Sequence, residues 1–72
     1  MTKEEIAQAY KAAMDSVNLI NQMIADGLTV EQEDRDTISR NVEHLKIMAG
    51  KDFWTTEDLT PFKDAIAAGE AV

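Results

Sequence analysis

The chain has 72 residues, a formal net charge of −7 and no cysteine. That length makes one domain with a small core, and without thiols there are no disulfides and no thiolate metal sites. The acidic balance, with a pI near 4.4, opposes a nucleic-acid surface, which needs basic residues to meet phosphate, and opposes charge-driven docking on anionic lipid.

No apolar run approaches the roughly 20 residues that span a bilayer. The N-terminal Met1-Thr2-Lys3-Glu4-Glu5 is charged and lacks the apolar heart of a signal peptide. The chain is expected to act where it is made, with a protein partner, or a second copy, taking the place of the staples that small domains often carry.

The first helix is expected over 3–26. Its apolar residues Ile6, Tyr10, Ala13, Val17, Ile20 and Ile24 recur at alternating spacings of four and three, which places them on one helical face. Thr2 with Glu5 reads as a capping box, the hydroxyl and the carboxylate each taking an orphan backbone N–H. Gly27 reads as the stop, with Leu28 placed to fold back on Met23 in a Schellman ending.

A second helix is expected over 30–49, with Thr29 and Gln32 repeating the capping pattern and Gly50 closing it. Glu31, Glu33 and Asp34 crowd its first turn, where the helix dipole favours negative charge. Glu31 with Arg35 and Asp36 with Arg40 have the spacing of supporting ion pairs. Its stripe, Ile38, Val42, Leu45 and Ala49 with Met48 alongside, fills only the second half. The first half, polar all round, is expected to project past the core or to meet a partner. The short connection favours an antiparallel hairpin.

A third helix is expected over 56–68. Phe53 and Trp54 precede it and can plug the open end of the hairpin. Pro61 suits a helix start, yet Leu59, Phe62 and Ile66 keep helical spacing across it. The start is expected at Thr55 or Thr56 with Glu57 and Asp58 in the first turn, a tight turn at 56–60 leading directly into the helix and Gly69 ending it. No stretch alternates like a strand. The fold class expected is all-α, a helical hairpin plus a shorter third helix in a small three-helix bundle.

Chemistry is sparse. His44 is the only histidine and lies away from the Ile38 stripe, which reads as surface. Glu31, Glu33, Asp34 and Asp36 lack the order of a calcium loop. Ser16 and Ser39 sit mid-helix without the turn that activates a nucleophile, and the three glycines are isolated rather than gathered in a phosphate loop. No catalytic residue, metal or cofactor is expected, and the chain reads as non-enzymatic.

Two features point to binding. A second row on the first helix, Ala9, Ala12, Ser16, Leu19 and Met23, lies beside the main stripe. Either the third helix covers it or it meets a partner. Ile47 points opposite the second helix's own stripe. Ala12, Ser16, Leu19, Met23 and Ile47 are the candidate partner-binding residues, and Ile20, Phe53 and Trp54 the structural anchors.

Arg40-Asn41-Val42-Glu43-His44-Leu45 and Lys51-Asp52-Phe53-Trp54-Thr55-Thr56-Glu57-Asp58-Leu59 resemble a stretch found in small uncharacterised proteins of tailed bacteriophages, marine and cyanobacterial ones in particular. The likeness covers about the second half of the chain and carries no catalytic motif. It implies a phage origin and a virion or assembly component. The alternative is a phage-encoded regulator that binds and inhibits a host protein.

Overall fold

A computed structural model describes all 72 residues, Met1–Val72. Three helices form: α1 (Lys3–Ala25), α2 (Gln32–Ala49) and α3 (Thr56–Glu70). Each packs on the other two in a three-helix bundle without strands. Ser16 of α1 meets His44 of α2, Tyr10 stacks near Trp54, and Gly69 approaches both Ile20 and Ile38. Those pairings make α2 antiparallel to α1 and bring α3 back up alongside α1.

The ends of α1 follow the sequence closely. Thr2 Oγ1 accepts the Glu5 N–H at 3.1 Å while Glu5 accepts the Thr2 N–H at 3.2 Å. At the other end Gly27 takes a left-handed φ of +72°, the one such residue in the chain. There the Leu28 N–H reaches Met23 O at 2.9 Å and the Gly27 N–H reaches Ile24 O at 3.1 Å. This is the full Schellman bond pair.

The second helix starts two residues later than its sequence signals suggest. Glu31 is the N-cap and makes no side-chain cap bond, so the Thr29 and Gln32 capping box does not form. Gln32 Nε2 instead donates to Asp36 one turn on, at 2.9 Å. The expected Arg35 and Arg40 ion pairs are absent, and Arg40 Nη2 donates to Thr37 Oγ1 at 3.2 Å. In a polar, exposed turn several partners compete at similar small energies, and spacing alone does not select among them. Gly50 caps α2 with an ordinary right-handed backbone, φ −75°.

The third helix departs most. Residues 56–60 are already helical rather than a turn, because Thr55 and Asp58 form a capping box of their own, Asp58 N–H to Thr55 Oγ1 at 3.1 Å and Thr55 N–H to Asp58 Oδ2 at 3.2 Å. Pro61 sits inside the helix, one turn past its start. Thr60 Oγ1 donates to Thr56 O just before it, at 3.1 Å. Gly69 is not a stop, since α3 runs on to Glu70. A Cβ at Gly69 would collide with Val42 Cγ2, and would lie 3.3 Å from Ile38 Cγ2 and 3.6 Å from Ile20 Cγ2. This glycine lets α3 lie against the other two helices.

The core is Ala13, Val17, Ile20 and Met23 from α1, Ile38, Val42 and Leu45 from α2, Trp54, and Phe62 and Ala65 from α3. Ile20, Ile38, Leu45 and Phe62 are its fully buried large side chains. Burying an aliphatic side chain of this size stabilises by about 1.5–3 kcal/mol. α3 ends level with Ile20 and Ile38, so the α1–α2 end of the hairpin extends beyond it. The result is an elongated body, 40 × 18 × 17 Å.

Candidate functional site

The second row on α1 divides between core and surface. Ser16 is 6% exposed and Met23 is buried, whereas Ala12 is exposed and Leu19 is 41% exposed. Helical geometry gives the reason. Ser16 and Met23 lie three residues from the core positions Ala13 and Ile20, about 60° round the helix. α2 closes over that flank. Ala12 and Leu19 lie one residue from the same positions, about 100° round, just beyond the contact. Ser16 and Met23 are therefore corrected from partner-binding candidates to intramolecular packing. Ala12 and Leu19 remain on the surface, and Ile47, 65% exposed on the outer side of α2, remains with them.

Ser16 has a partner that spacing did not reveal. Its Oγ lies 2.9 Å from His44 Nδ1, a bond between residues 28 apart in sequence. His44 is exposed but reaches inward to satisfy a buried hydroxyl, and no buried side-chain polar atom is left unpaired. A hydrolytic pair needs a hydroxyl that substrate can reach and backbone N–H groups free to hold an oxyanion. Ser16 is sealed between helices, midway along α1. The arrangement instead ties α1 to α2 at one register. The signal available in sequence was the presence of one serine and one histidine near the middle of facing helices.

The anchors Phe53 and Trp54 stand where α2 gives way to α3. Trp54 is buried and donates Nε1–H to Met48 O at 2.6 Å. Its ring packs edge-on to Phe62 with centroids 5.1 Å apart, and Tyr10 closes the group at 5.8 Å from Phe62. Phe53 is half-buried and tilts against Trp54 at 4.6 Å. Tyr10, which sequence placed in the core stripe, is only partly covered and forms the outer wall of this aromatic end.

Two concavities open on the surface. One runs between α2 and the end of α3, past Arg35, Ser39, Lys46 and Glu70, and is polar. In it Lys46 pairs with Glu70 at 3.2 Å and with Glu43 at 3.6 Å. The Glu70 hydrogen bond and charge hold the ammonium above its ordinary range against an opposing cost of desolvation, with the least help from Glu43. The other is a cleft of about 290 Å³ lined by Lys3, Ile6, Ala7, Tyr10, Trp54 and Asp58. No three His, Asp or Glu side chains converge in the way a metal requires, and no helix is long and apolar enough to cross a membrane.

No protein family model, curated protein or solved structure matches the chain.

Proposed function

We propose that the protein is a non-enzymatic helical module that works by assembling with other protein chains, copies of itself first. The observation that carries this reading is the exposure of Leu19, beside Ala12, on a helix whose neighbouring positions already fill the core. Ile47 adds a second exposed aliphatic on α2. None of the three is needed to close the bundle. Small residues such as Ala12 let another helix approach closely, and Leu19 supplies apolar area that water disfavours. The tailed-phage likeness read from the second half of the sequence supports a virion or assembly component as the context of this role.

Quantitative mass spectrometry of purified phage particles tests that context. A virion component is expected at a fixed ratio to the capsid protein. Absence from particles, together with recovery on a host protein from infected cells, would replace the assembly role with the inhibitor role.

A further inference from the structure

The cleft between the first turns of α1 and α3 is a different surface from the Leu19 face. Tyr10 is nine residues before Leu19, hence on the opposite side of α1. Its walls are apolar and aromatic: Ile6 is half-buried, Tyr10 is 36% exposed, and an edge of Trp54 remains at the bottom. Trp54 is fixed by its bond to Met48 O, and Tyr10 packs against it with ring centroids 6.2 Å apart. A volume near 290 Å³ lies at the low end for small-molecule pockets. It suits one anchoring side chain of a partner rather than a large ligand.

The surroundings select the charge of that partner. The charged side chains that line the cleft are Lys3 and Asp58, and the same first turns add Glu4, Glu5 and Glu57 around it, which leaves this end of the bundle acidic. Asp58 lines the cleft and uses Oδ2 in its helix cap, which leaves Oδ1 free to accept from a cation. The chain as a whole is strongly acidic, and its field favours approach of a basic segment.

We propose that the Tyr10–Trp54 cleft docks a basic protein segment, an aliphatic side chain seated against the aromatic walls and a neighbouring arginine or lysine meeting Asp58. Tyrosine and tryptophan in such clefts commonly anchor protein contacts. The inference shares with the proposed function only the premise that the chain acts by contact. The two fail separately, because Leu19 takes no part in the cleft.

The test uses the full chain and its single tryptophan. A blocked arginine–leucine–arginine tripeptide is titrated while Trp54 emission and the Tyr10 ring resonances are followed. A saturable change at both rings is expected, absent with glutamate–leucine–glutamate and with arginine–glycine–arginine. At low salt Lys3→Glu should tighten binding about two- to fivefold, and Asp58→Asn, which keeps a cap acceptor, should weaken it by a similar factor, the range set by exposed charge pairs. Lys3→Glu places an acid at a helix start, where the dipole favours it, so the fold is retained. The proposal is overturned if the arginine–leucine–arginine peptide produces no saturable change, if the glutamate or glycine peptides bind equally, or if Lys3→Glu weakens binding.

Discussion

Gly69 and Gly50 show how one residue type can do opposite work. Replacing a glycine within a helix by alanine normally stabilises by about 1 kcal/mol. At Gly69 the added methyl would press on Val42 and Ile38, and overpacking of that kind costs about 1–3 kcal/mol. Gly69→Ala should therefore lower stability. At Gly50 the backbone is already right-handed and the nearest contacts, 3.4 Å and 3.5 Å, are ordinary, so Gly50→Ala should raise stability by about 0.4–1 kcal/mol. Urea denaturation of the two variants checks the signs. Sequence showed only that each glycine stood near a helix end. The neighbours that Gly69 accommodates belong to different helices, and no local pattern encodes them.

The Ser16 and His44 pair belongs to the same scale. His44→Ala leaves a buried hydroxyl to find another partner, which costs about 1–3 kcal/mol when none is found. A mid-helix serine can turn to the carbonyl one turn back, so the expected loss is near 1 kcal/mol. Ser16→Ala strands no buried group, because His44 is open to water, and should cost less. The double variant should cost no more than His44→Ala alone. Additive losses would show that the two side chains act independently.

Among the elements, α1 was the most legible because every signal in it is local: a capping box, a 3–4 apolar repeat and a left-handed glycine. α2 was legible in its apolar half and misread at its start, where Thr29 offered a capping pattern that the chain does not use. α3, expected over 56–68, runs over Thr56–Glu70: its opening turn is set by the Thr55 and Asp58 box rather than by Pro61, and its end passes through Gly69 because that glycine packs on α2. The end of α3 is fastened to α2 by Lys46 with Glu70 and by the packing of Gly69. Because the Lys46 ammonium is held above its ordinary range, the stabilisation from this pair is complete below that range. It is lost as pH rises through the raised value. Both partners are exposed, so the effect is small. Thermal melts of the parent and Lys46→Met should differ slightly at neutral pH, converge at strongly alkaline pH, and converge also at high salt.

At the scale of the whole molecule, one apolar face per helix meets in a single closed core, and that much could be read from the chain. The division of α1's second row could not. Whether a flank at about 60° is covered depends on where the neighbouring helix lies, which is a tertiary fact. Ile20 sits at the centre, fully buried between α2 and α3. Ile20→Ala should cost about 2–5 kcal/mol, a large share of what a domain this small possesses. Its denaturation midpoint should fall accordingly, and an unchanged midpoint would remove Ile20 from the core.

The closed core leaves Leu19 and Ile47 without work inside the bundle, and that contrast is the basis for reading the protein as an assembling module. Sedimentation equilibrium of the parent chain and of Leu19→Glu, with helicity followed by circular dichroism, tests it most directly. A charge on a free surface is tolerated, but in an apolar contact it is stripped of water without a partner. The parent chain is expected to associate as concentration rises, and Leu19→Glu to remain a monomer with unchanged helicity and melting. A parent chain that stays monomeric throughout, or a variant that associates as strongly as the parent, would contradict the account.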